Sequence, residues 1–132
     1  MAAAIFEALP KSRPVKGDSR GMVVQFPEPM NQKAEAVLIS NGIEIKDFTS
    51  QVLEPSDFAP YTLVVTMEQS QKDRLLASFQ EASEENTVVL NQIVGEELEI
   101  IDPYGGTVQS YGICYEMLKT SITKLIRILE EE

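Results

Sequence analysis

The run Ile101-Asp102-Pro103-Tyr104-Gly105-Gly106 holds residue types that could do chemistry. Proline fixes its own φ and confines the residue before it to extended backbone, so Asp102 is expected to stand outward on a stiff loop. A carboxylic acid placed in this way can protonate a departing alkoxide or phenoxide, the general-acid step of ester cleavage. Tyr104 could flank a flat aromatic substrate. The plainer reading is a turn ahead of a helix, with Asp-Pro and Gly-Gly serving geometry alone. An acid of this kind assists a nucleophile, and no cysteine or histidine stands near the N-terminus to act as one.

Two further groups invite the same question. Cys114 is the single cysteine of the chain. A reactive thiolate needs a helix N-terminus or a cationic neighbour. Cys114 falls instead on the apolar stripe of a long helical pattern, which points to packing. The segment Gly17-Asp18-Ser19-Arg20-Gly21 sets a hydroxyl and a guanidinium between glycines, as an anion contact or, more simply, as a tight turn.

Composition narrows the classes. A chain of 132 residues with 43% hydrophobic residues can bury one core and reads as a single domain over 1–132. Its net charge of -10 disfavours nucleic acid, whose phosphates need a basic face, and disfavours anionic membranes. With one cysteine there is no internal disulfide, so a cytoplasmic location is expected. Histidine is absent, which removes the commonest zinc ligand and triad base, so no metal and no cofactor are implied. No apolar stretch approaches the roughly 20 residues of a membrane span.

The elements that must position these groups follow from periodicity. Residues 2–9 read as a helix with Ile5, Phe6 and Leu9 on one face, ended by Pro10. Short extended segments are expected at 13–16 and 22–26. Asn31 is a fitting N-cap for a helix to Ser40, stopped by Asn41-Gly42. A loop with one turn near Pro55 leads to a strand over 61–67, apolar on both faces as parallel strands are. A helix over 70–81, burying Leu75, Leu76 and Phe79, and a strand over 87–90 come next. The last helix spans 108–130, with Tyr111, Cys114, Leu118, Ile122, Leu125 and Leu129 in one stripe. The closing glutamates oppose its dipole, so its final turn is expected to fray. This alternation implies an α/β fold, three layers α/β/α around a small parallel sheet, with ligands bound beyond the C-terminal strand ends.

Together these segments resemble the low-molecular-weight protein tyrosine phosphatase family over essentially the whole chain. Met1-Ala2-Ala3-Ala4-Ile5-Phe6 is similar to the helix that follows the family's phosphate loop. Asp18-Ser19-Arg20-Gly21 is similar to its Ser-x-Gly turn, and 33–43 to its second helix. Residues 61–68 resemble the strand that ends in Met-Asp, with Glu68 in place of the aspartate. Asp102-Pro103-Tyr104-Gly105-Gly106 matches the family's acid loop, and its Gly-Gly form resembles the bacterial branch, which holds arginine phosphatases as well as tyrosine phosphatases.

The resemblance implies a two-step mechanism on a phosphorylated protein or a small aryl phosphate, phosphotyrosine foremost. A cysteine in a Cys-x5-Arg loop attacks phosphorus, the arginine and backbone amides hold the phosphoryl oxygens, and water then hydrolyses the phosphocysteine. Asp102 would be the acid, Tyr104 a wall of the substrate slot, and Ser19 a support of the phosphate loop. The departure is that no cysteine here is followed six residues on by arginine; Cys114 is followed by Thr120. These residues alone are therefore expected to be inactive, an N-terminally incomplete family fold that begins after the phosphate loop and its central strand. A start codon assigned too late would explain that. The alternative is a pseudophosphatase serving as a binding or regulatory module. The vacant strand position would be filled by 22–26, by a second copy in a homodimer, or by preceding chain.

Overall fold

The computed structural model describes residues 1–12, 14–22, 30–44, 50–101, 103 and 105–131. Its elements are α1 (Ala2–Ala8), α2 (Gln32–Ser40), β1 (Val64–Thr66), α3 (Gln69–Ser78), β2 (Thr87–Val89), α4 (Leu90–Ile93) and α5 (Val108–Glu131), with a 3-10 turn at Pro55–Asp57. Helices alternating with a small parallel sheet make this an α/β fold, as the periodicity implies. The chain divides into two compact units, Met1–Val52 with Asp102–Glu132, and Leu53–Ile101.

In the first unit α1 and α2 both pack on α5. Helix α1 buries Ile5 and Phe6, and α2 buries Ala34, Val37 and Leu38. Opposite them α5 buries Tyr111, Cys114, Leu118, Ile122 and Leu125 at steps of three and four, together with Tyr115 and Ile126. Leu129 is half-buried. One apolar stripe thus serves two partners, which is why a helix of 24 residues persists.

Local chemistry sets the helix ends. Leu9 is extended (φ -77, ψ 143), the conformation that Pro10 imposes on its predecessor, so α1 stops there. Lys11 Nζ then donates to the carbonyls of Phe6 at 2.6 Å and Leu9 at 2.8 Å, and lies 4.8 Å from the Phe6 ring centre. Asn31 caps α2 as expected, its Oδ1 accepting from the amides of Lys33 and Ala34. At the other end Ile43 N donates to Leu38 O and Gly42 N to Ile39 O, the paired bonds of a Schellman turn. Gly42 sits at φ +80, where a Cβ would be strained.

Helix α5 continues to Glu131, with Glu132 outside the described residues. Glu130 Oε1 accepts the Ser12 amide at 2.6 Å, a long-range tie that offsets the adverse dipole. Of the extended segment at 13–16, residues 14–16 form no strand; Arg13 and 23–26 lie outside the described residues. Among the described residues of this part of the chain, Gly21 and Val52 form an isolated parallel bridge.

In the second unit β1 and β2 run parallel, with Val64 opposite Thr87, Val65 opposite Val88 and Thr66 opposite Val89. Both strands are shorter than their sequence patterns. Residues 59–62 form a turn, Thr62 N donating to Ala59 O, and Tyr61 takes φ 63, so pairing cannot begin before Val64. Leu90 leaves the ladder to start α4, an element the sequence pattern does not announce. Helix α3 ends at Ser78 because Phe79 turns extended (φ -122, ψ 121) and meets the Phe58 ring at 5.3 Å. Leu75 is buried, whereas Leu76 and Phe79 are half-buried. Lys72 is buried with its ammonium on Glu84 at 2.5 Å, the pairing a buried cation requires.

Candidate active site

The loop 17–21 is pinned at both ends within the first unit. Gly17 N donates to Glu7 Oε1 of α1, and Gly21 N donates to Gln51 O at 2.7 Å beside the bridge to Val52. Between these anchors the loop closes on itself. Asp18 Oδ1 accepts the Ser19 amide at 2.8 Å, Asp18 Oδ2 meets Arg20 Nη1 at 2.9 Å, and the same Nη1 donates to Ser19 O at 2.7 Å. Burial by itself would raise the Asp18 carboxyl, but the Ser19 amide, the Arg20 guanidinium and Lys16 outweigh it and hold the group below its ordinary range. The guanidinium thus meets both Asp18 and the Ser19 carbonyl within the turn. Ser19 is exposed at its tip.

The second feature precedes α5. Gly106 N donates to Pro103 O at 2.7 Å, closing a turn in which Gly105 takes φ +80. A Cβ at Gly106 would lie 2.8 Å from Pro103 O, so each glycine of the pair is there for geometry. Thr107 then caps α5, its Oγ1 accepting the Ser110 amide at 3.1 Å. From the start of α2, Lys33 Nζ reaches across and donates to Gly106 O at 2.5 Å. Asp102 and Tyr104, which the sequence places at the head of this turn, lie outside the described residues. Cys114 is buried within α5, in keeping with its packing role.

Comparison with known proteins places these pieces. The family model "Low molecular weight phosphotyrosine protein phosphatase" matches residues 1–132. The chain belongs to that family. A protein-arginine-phosphatase of Geobacillus stearothermophilus is 31% identical over 134 residues, covering 100% of this chain and 88% of the relative. The tyrosine phosphatase PtpB of Staphylococcus aureus is 37% identical over 67 residues, 51% of this chain and 47% of that protein.

Solved phosphatases of this family share the fold. The arginine phosphatase structure from Geobacillus stearothermophilus superposes with a TM-score of 0.86 at 31% identity, over 98% of this chain and 83% of that one. A low molecular weight protein tyrosine phosphatase from T. tengcongensis gives a TM-score of 0.86 at 28% identity, over 96% and 87%. Among the described residues no helix is long and apolar enough to cross a membrane, and no group of acidic, cysteine or histidine side chains is disposed to hold a metal ion.

Lys33 is the residue that reasoning from the phosphatase family's motifs passes over. Its signal in the sequence is faint but physical: a cation in the first turn of a helix faces the positive end of the dipole. Such a placement invites the question of what it holds.

Proposed function

We propose that this domain serves the hydrolysis of phosphate monoesters on proteins, through a phosphocysteine intermediate, in a cytoplasmic setting. The single observation carrying this reading is the match of residues 1–132 to the phosphatase family with the Asp-Pro-Tyr-Gly-Gly motif retained. In it Asp102 protonates the leaving oxygen and then activates water, Tyr104 walls the substrate slot, and Ser19 supports the phosphate loop. The turn at 17–21 suits that last role, since both of its ends are anchored and its hydroxyl is exposed.

The 132 residues contain neither a nucleophilic cysteine with an arginine six residues on nor a substitute for that pair. By themselves they should therefore turn over little or no substrate, because groups that act as a unit fail together. Phosphotyrosine is the expected substrate, and phosphoarginine is the second reading, favoured by the match of the whole of this chain to an arginine phosphatase. A pseudophosphatase binding module is the alternative in another class.

The test is hydrolysis of phosphotyrosine and phosphoarginine peptides by the chain extended upstream in frame, with and without Asp102→Asn. Turnover that falls by about 10²–10⁴-fold on substitution supports the acid role of Asp102. Turnover indifferent to the substitution removes that role, and an inert extended protein that still captures a phosphopeptide favours the binding module.

A further inference from the structure

We propose that Lys33 is a positioning residue for the acid loop, fixing the turn that follows Asp102 through its bond to the Gly106 carbonyl; this rests on the reading of Asp102 as the general acid. Lys33 and Gly106 are 73 residues apart, and the ammonium donates to the carbonyl at 2.5 Å. Gly106 is the residue whose own amide closes the turn on Pro103 O at 2.7 Å. The lysine therefore grips the carbonyl of the turn's last residue, one residue before the Thr107 cap of α5. Gly105-Gly106 is a pair with wide conformational freedom, and Gly105 occupies φ +80. A turn built on two glycines needs an outside anchor to stay in one conformer.

The cost on α2 points the same way. Lys33 occupies the first turn of that helix, where a cation opposes the dipole and a glutamate or glutamine would serve the helix better. A local preference broken in this manner is expected where a side chain has work elsewhere. Here that work is to join the starts of α2 and α5. Pro103 then transmits the fixed turn to the neighbouring acid, because its ring leaves little torsional slack at that junction.

The first readout is amide exchange by NMR in the 132-residue chain. Lys33→Met should speed exchange of the Gly106 amide by several-fold to about tenfold, the worth of an exposed charge-assisted bond, while Leu118 in mid-helix is unchanged. Lys33→Arg should restore the slow rate. Methionine relieves α2 of an adverse charge, so a looser turn cannot be traced to a weaker helix.

The second readout uses the chain extended upstream in frame. Lys33→Met should lower kcat for phenyl phosphate about tenfold, with KM little changed. It should affect p-nitrophenyl phosphate far less, since a good leaving group needs little protonation. Unaltered Gly106 exchange, or equal losses on the two esters, overturns the proposal. An extended protein that is inert with Lys33 in place overturns the functional reading instead, and exchange at Gly106 still decides whether Lys33 holds the turn.

Discussion

Asp18 shows how a single side chain can shape a loop. Its carboxylate accepts the next amide and pairs with Arg20, so the two opposite charges meet inside the turn. Desolvation would raise its pKa, yet the Ser19 amide, Arg20 and Lys16 together leave it lowered. Folding thus favours the charged form. That contribution is present above the unfolded-state pKa and is lost as pH falls through the lower folded value. The group is largely exposed, so its effect is small. Asp18→Asn should be slightly less stable than the parent at neutral pH and equal to it in strong acid. Denaturant midpoints across an acid series check this, and a gap that survives at the lowest pH contradicts it.

Helix ends carry much of the specification at the scale of the element. Asn31 holds two amides at the start of α2, and Asn31→Ala should cost about 1 kcal/mol, read as a lowered urea midpoint at constant slope. A change below a few tenths of a kcal/mol would show that tertiary packing alone fixes this helix. Caps and apolar spacing are local, which is why α1, α2, α3 and α5 are legible in the sequence, α5 to within one residue at its end. The strands are less so. Residues 61–67 have the composition of a buried strand, but a turn at Tyr61 consumes the first part and leaves three paired residues. Leu90 likewise reads as strand and begins a helix. Pairing depends on partners distant in the chain, and no window of sequence contains them. The Lys33 bond to Gly106 was illegible for the same reason, while the Asp-Pro-Tyr-Gly-Gly motif, being contiguous, was plain.

Acidity is unevenly spread over the whole molecule. Residues 53–101 hold ten acidic and two basic side chains, against eleven and nine in the remainder. The second unit therefore carries most of the net charge of -10, which leaves no basic face there for nucleic acid. The chain divides into two compact units, yet the family match runs through both without a break, and we propose that residues 1–132 are one domain. Such a domain should unfold in a single transition, with far-ultraviolet circular dichroism and tyrosine fluorescence coinciding; separated transitions would mark two independent units. The proposed function assigns the general acid to Asp102, in a chain whose one cysteine, Cys114, has Thr120 rather than arginine six residues on. Its most direct test is phenyl phosphate hydrolysis by the folded 132-residue chain beside the same chain extended upstream in frame. Turnover by the extended protein alone is the expected result, and turnover by the 132 residues themselves would contradict the account.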